Sequence, residues 1–136
     1  MTRIVRLLAV PATGAGYVED LAALQVRHVP AGERYSAPGH TPGFRAIREV
    51  AEAVSIGLVL ETGQVAWGDC VAGPGAGLPG RGARFRTREG LAAIEALVAP
   101  ALEGRELGPF REMAALVDGL GEAGSAEEGE EAAPGP

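Results

Sequence analysis

Apolar and polar positions alternate along the chain from Val54 to Ala72. Val54, Ile56, Leu58 and Leu60 fall on one face, and Val65, Trp67 and Val71 repeat the pattern after a polar break. A period of two predicts two half-buried strands. Thr62-Gly63 fits a two-residue loop between them, since glycine adopts the positive φ that tight hairpin turns need. With that loop, Leu60 faces Val65, Leu58 faces Trp67, Ile56 faces Asp69 and Val54 faces Val71. A slip of one residue would turn every side chain to the other face, so the register should be well specified.

Elsewhere the pattern is less regular. Ile4–Val10 reads as a first strand stopped by Pro11. Residues 12–43 are punctuated by Thr13-Gly14-Ala15-Gly16, Pro30, Gly32, Pro38-Gly39 and Pro42-Gly43, with room for a short helical turn through Val18, Leu21 and Leu24. Phe44, Ile47, Val50 and Ala51 have helical spacing and suggest a short helix or an irregular approach to the hairpin. Residues 73–82 can only be loop. Thr87 is a good helix N-cap, with Glu89 in the first turn. Leu91, Ile94, Leu97, Val98, Ala101 and Leu102 continue with helix period, broken or kinked at Pro100. Gly108-Pro109 restarts the chain, and Phe110, Met113, Leu116, Val117 and Leu120 form a second amphipathic face that Gly119 and Gly121 end.

These elements predict an α+β fold, a three-stranded antiparallel sheet from Ile4–Val10 and the hairpin, followed by a small helical bundle between Thr87 and Leu120. The expected organisation is one domain over residues 1–120 and a Gly/Ala/Glu/Pro-rich acidic tail over 121–136. The tail lacks bulky apolar side chains and should be disordered.

Composition narrows the function classes. A chain of 136 residues builds one modest core, whereas a (β/α)₈ barrel takes about 250 residues, so none is expected here. No apolar run approaches the roughly 20 residues of a membrane span, and the start reads as a strand rather than a signal peptide. A single cysteine, Cys70, excludes an internal disulfide framework and fits a cytoplasmic setting. All 12 basic residues are arginine, so no side chain here offers a lysine nucleophile or base. Most of the net charge of −6 sits on Glu122, Glu127, Glu128, Glu130 and Glu131. The remainder is nearly neutral, which gives no electrostatic footprint for nucleic acid.

Few residues suggest chemistry. Gly75-Ala76-Gly77-Leu78-Pro79-Gly80 matches G-x-G-x-x-G after a strand, which raises a nucleotide-binding module as one alternative. That site needs the turn to open directly into a helix, and here the helix signal waits until Thr87. Asp69, placed on the apolar face, would need hydrogen bonds to be tolerated. It is expected to structure the loop that follows rather than to act as a catalyst. His28 and His40 lack metal-ligand spacing and are expected at the surface, and Cys70 is expected as a buried thiol. Arg81, Arg84, Arg86 and Arg88 suggest a solvated basic edge or a surface that pairs with a partner's acids.

A family resemblance gathers these pieces. Ser55, Leu58-Val59-Leu60-Glu61, Gly63-Gln64-Val65-Ala66, Gly68-Asp69-Cys70, Gly75-Ala76-Gly77, Ala99-Pro100, Gly104-Arg105-Glu106 and Met113-Ala114 occur in an order that resembles the N-terminal domain of methylaspartate ammonia-lyases, members of the enolase superfamily. The resemblance spans roughly residues 3–120. It implies an enolase-like N-terminal capping domain whose enzyme reversibly eliminates ammonia from 3-methylaspartate to give mesaconate. Mg²⁺ and the acid–base residues would lie on a (β/α)₈ barrel, not on this chain, so no catalytic or metal-ligating residue is assigned here. The resemblance further implies that residues 14–44 belong to a lid and that Gly73, Pro74 and Gly75 lie near substrate. Pro74 stands where the family places a substrate-contacting glutamine. The expected partner is a separately encoded barrel, with a homodimer of the assembled enzyme as an option, and Phe85, Leu78 and Tyr17 are expected in an exposed apolar patch that it would cover. The alternative is a truncated or diverged, non-catalytic protein-interaction module.

Overall fold

The computed structural model describes residues 1–73 and 84–127, with side chains through residue 121. Three strands, β1 (Ile4–Glu19), β2 (Arg48–Leu60) and β3 (Val65–Val71), form an antiparallel sheet in the order β1-β2-β3. The helices are α1 (Leu21–Val26), α2 (Thr87–Ala93), α3 (Ala99–Leu102) and α4 (Phe110–Glu127), with a π-helical segment Ile94–Val98 joining α2 to α3. The α+β class and the three-stranded sheet are as the pattern predicts.

Several boundaries differ. β1 does not stop at Pro11 but runs on to Glu19, because an edge strand has no neighbour on its outer side to miss the proline's absent N–H. β2 starts at Arg48, so Val50 and Ala51 are strand rather than helix. α4 runs through Gly119 and Gly121 to Glu127. Each glycine costs about 1 kcal/mol relative to alanine in a helix, and the surrounding Ala and Glu residues are strong helix formers. Residues 128–136, the rest of the expected tail, lie outside the described residues.

The hairpin register also differs. Leu60 N–H donates to the Gln64 carbonyl at 2.8 Å and Gly63 N–H to the Leu60 carbonyl at 2.9 Å. The loop is therefore Glu61-Thr62-Gly63, three residues long, with Gly63 at φ +87, the left-handed position that closes such a turn. Leu60 pairs with Gln64 instead of Val65, and Asp69 lies across from Ser55 instead of Ile56. Leu58 then faces Ala66, not Trp67.

The chain divides into two compact units. One comprises Met1–Leu8, Gly57–Ala66 and the chain from Ala93 onward, and its core holds Ile4, Leu7, Leu60, Ile94 and Leu102. There Ile4 is tied to the α3 exit by its N–H bond to the Arg105 carbonyl and by Gly104 N–H to its own carbonyl, both at 2.8 Å. Pro100 cannot donate a backbone hydrogen bond, and the helix relaxes into its π-turn just before it. The other unit comprises Ala9–Ile56 and Trp67–Ala92, with Val18, Ala23, Phe44, Ile47, Ala51, Ala53, Val54 and Ala72 buried.

Candidate functional site

The segment that follows β3 is held at both ends by the start of β2. Ala72 N–H donates to the Glu52 carbonyl at 3.0 Å. On the far side, Thr87 N–H donates to Glu52 Oε1 at 3.1 Å and Thr87 Oγ1 to the Ala53 carbonyl at 3.1 Å. Arg86 Nη1 reaches Glu52 Oε2 at 2.7 Å and Glu49 Oε1 at 3.1 Å, and its Nη2 donates to the Gly43 carbonyl. Arg84 is buried, its side chain 1% exposed. Its Nε meets Glu49 Oε2 at 3.3 Å, while Nη1 and Nη2 donate to the carbonyls of Phe85 and Val50.

Two carboxylates and two guanidiniums thus neutralise one another. Burial pushes the Glu49 carboxyl up, but hydrogen bonds and charge from Arg86 and Arg84 outweigh it and hold Glu49 below its ordinary range. Burial also raises Glu52, and the Arg86 and Thr87 hydrogen bonds bring it below its ordinary range. Burial lowers Arg86, but its bonds to Glu49 and Glu52 leave it raised.

This corrects the expected solvated basic edge. Arg84 and Arg86 turn inward onto acids of their own chain, because the preceding strand offers two carboxylates in reach. Arg88 is exposed and Arg81 lies outside the described residues. A shallow cleft of about 430 Å³ lies beside the cluster, lined by Pro42, Gly43, Phe44, Arg45, Arg84, Arg86 and Glu89.

The loop 20–47 that supplies Gly43 is closed by Asp20, which is 2% exposed. Its Oδ2 accepts from His40 N–H and Thr41 N–H, both at 2.7 Å, and its Oδ1 from Thr41 Oγ1 at 2.6 Å. Burial raises the Asp20 carboxyl, and these bonds more than reverse that. Asp20 N–H donates in turn to the Ile47 carbonyl at 2.7 Å, so one residue fastens both ends of the loop. Nearby, Glu19 pairs with Arg48 and Arg34, and the Arg48 guanidinium lies 4.3 Å from the Tyr17 ring centroid.

The sequence-predicted positions fall as follows. Gly73 is exposed just past β3, while Pro74, Gly75, Leu78 and the whole G-x-G-x-x-G match lie outside the described residues. Asp69 is exposed and accepts from Ser55 Oγ at 2.7 Å. Cys70 is exposed, not buried, because every residue of β3 is exposed. His28 and His40 are at the surface. Phe85 is half-buried rather than exposed, with its ring against Gly90. A Cβ on Gly90 would come within 2.7 Å of Phe85 Cε2 and Cζ. Tyr17 is 50% exposed. The sequence reading missed Glu49, Glu52 and Asp20. The one signal for the first two is a pair of acids in a strand otherwise rich in valine and alanine.

Among the described residues no group of three or more His, Cys, Asp or Glu side chains could hold a metal ion, and no helix is long and apolar enough to cross a membrane.

Residues 2–129 match the family model described as the methylaspartate ammonia-lyase N-terminus. The chain belongs to that family. It is 37% identical over 116 residues to methylaspartate ammonia-lyase 2 of Carboxydothermus hydrogenoformans, covering 85% of this chain and 28% of the relative. The fold superposes on the Mg-complex of β-methylaspartase from Clostridium tetanomorphum with a TM-score of 0.77, at 37% identity, over 83% of this chain and 27% of that one. The Citrobacter amalonaticus methylaspartate ammonia-lyase containing (2S,3S)-3-methylaspartic acid gives a TM-score of 0.70 at 33% identity, over 76% and 25% of the two chains. The chain therefore spans little more than a quarter of the length of these ammonia-lyases. Within that family portion, the Glu49–Glu52–Arg84–Arg86 cluster holds the approach to Gly73 on one side and the start of α2 on the other.

Proposed function

We propose that this chain is the capping-domain part of a methylaspartate ammonia-lyase-like enzyme, working over a (β/α)₈ barrel that eliminates ammonia from 3-methylaspartate. The observation that carries the reading is the family match over residues 2–129, joined to a TM-score of 0.77 with a methylaspartase prepared as an Mg-complex. On this reading Mg²⁺ and the acid–base groups sit on the barrel. The metal would stabilise the enolate formed by proton abstraction, and this chain lines and dries one side of the pocket. Asp69 shapes the loop after β3, and Gly73, Pro74 and Gly75 face substrate without contributing a catalytic group. The cap extends through α4 to Glu127, in a cytoplasmic assembly able to pair into a homodimer.

A second reading, a non-catalytic interaction module, is favoured by Pro74, which offers no side-chain donor or acceptor where the resemblance puts a substrate-binding amide. One experiment separates the two. The chain alone, with 3-methylaspartate and Mg²⁺, is expected to release no ammonia above a heat-killed control. Mixed with the barrel portion of a relative lacking its own first quarter, it is expected to restore release. Turnover by the chain alone, or a folded mixture that stays silent, would overturn the cap reading.

A further inference from the structure

We infer that this chain pairs with a second copy of itself through α4. The two helices lie antiparallel about a two-fold axis, with Arg111 of each copy against Asp118 of the other. A groove of about 540 Å³ runs beside α4, lined by Leu58, Leu102 and Leu107 and, on the helix, by Phe110, Met113 and Val117. With Ala114, which also lines it, the helix residues fall at i, i+3, i+4 and i+7, one stripe of an amphipathic helix. The stripe is poorly covered at its start, where Phe110 is 85% exposed and Leu107 41%. Residues 122–136 are Glu, Ala, Gly, Ser and Pro, and bring no bulky apolar side chain to fill the groove. An apolar patch left open in this way marks an interaction surface.

The charges beside the stripe say what covers it. Arg111 and Asp118 are both exposed, and neither has a hydrogen-bond or ion-pair partner among the described residues. They are two helical turns apart, roughly 10 Å along the axis, and share one side of the helix. A parallel copy would set Arg111 against Arg111 and Asp118 against Asp118. An antiparallel copy, related by a two-fold axis near Ala114, brings each arginine to the other copy's aspartate, and both pairs form at once. The same operation lays Phe110 of one copy towards the Val117 end of the other's groove. Ala114, at the axis, is small enough for the two helices to approach. The pattern thus complements itself, which a surface shaped for a different protein need not do. The pairing is a property of this chain alone and does not rest on the capping-domain reading.

The test is sedimentation equilibrium of the full chain up to near-millimolar concentration. Wild type is compared with Arg111→Glu, Asp118→Arg, the double variant carrying both, and Phe110→Ala. Wild type is expected to dimerise reversibly. Each single charge reversal sets two like-charge pairs across the axis and should weaken the dimer about tenfold or more. The double variant exchanges the two charges and should return to within about threefold of wild type, as coupled residues do when both are changed. Mixing the two single variants restores an opposite pair at each end, so they should form a heterodimer tighter than either homodimer. Phe110→Ala should weaken the dimer by about tenfold as well, since it removes the largest apolar group of the stripe. All three positions are exposed, so thermal melts of the dilute monomers should match wild type.

A wild-type chain that stays monomeric would overturn the pairing. So would a dimer unmoved by the charge reversals, which would place the contact on another face. Reversals that neither the double variant nor the mixture rescues would overturn the antiparallel arrangement.

Discussion

β2 and β3 are the two arms of one hairpin, read from the same alternation of apolar residues, yet they live in different surroundings. β2 is the central strand, and Ala51, Ala53, Val54 and Leu60 along it are buried. β3 is an edge, and all seven of its residues are exposed, with Trp67 at 59% and Val71 at 49%. The difference shows that a period of two marks a strand but not its depth. Depth depends on what stacks against it, and that is set by elements distant in sequence. β2 also carries Glu49 and Glu52, the polar residues a buried strand should avoid, and the arginines that make them tolerable arrive more than thirty residues later.

The contrast is broken most severely at Glu49. Glu49→Ala removes a carboxylate from a guanidinium that is 1% exposed, and should cost about 3–5 kcal/mol in a denaturant melt, the range for breaking a buried pair. Glu49→Gln should lose less.

Acid does the same work gradually. Because the folded Glu49 and Glu52 carboxyls lie below the ordinary glutamate value of 4.5, the stability they contribute is present above that value. It is lost as pH falls through their lowered folded values. Melts taken downward from neutral pH should stay flat until about that range and then fall. A chain carrying Glu49→Ala should show a shallower acid drop, and an equal drop in both would break the link to this cluster.

The smallest effect is expected on the other arm. Trp67→Ala on β3 should change stability by no more than about 0.5 kcal/mol, the usual range for surface substitutions. A loss several times larger would mean that β3 is not the exposed arm.

These same residues show how much was legible. The strands of the hairpin were, because alternation is local. Its register was not: Thr62-Gly63 is a good two-residue turn on paper, and only the Leu60–Gln64 bond reveals that Glu61 belongs to the loop and that Gly63 closes it. Thr87 and Gly108-Pro109 stand at the starts of α2 and α4 as read, but the Thr87 hydroxyl donates to the distant Ala53 carbonyl rather than capping its own helix. Pro11 misled because the proline rule depends on edge position, which sequence does not display. Asp20 was invisible for the same reason as Glu52, its partners His40 and Thr41 lying about twenty residues on. For the candidate site the family resemblance proposes Gly73, Pro74 and Gly75, and the geometry adds the cluster of Glu49, Glu52, Arg84 and Arg86.

The central claim, that this chain caps an ammonia-lyase pocket, is tested most directly by a chimera. Its residues 2–129 would replace the matching first quarter of the Clostridium tetanomorphum enzyme, and ammonia release from 3-methylaspartate would be measured with Mg²⁺, with and without Pro74→Gln. The account predicts weak but measurable release from the chimera and a clear rise in kcat/KM once Pro74→Gln restores an amide to the substrate side. A folded chimera that releases no ammonia in either form would contradict it.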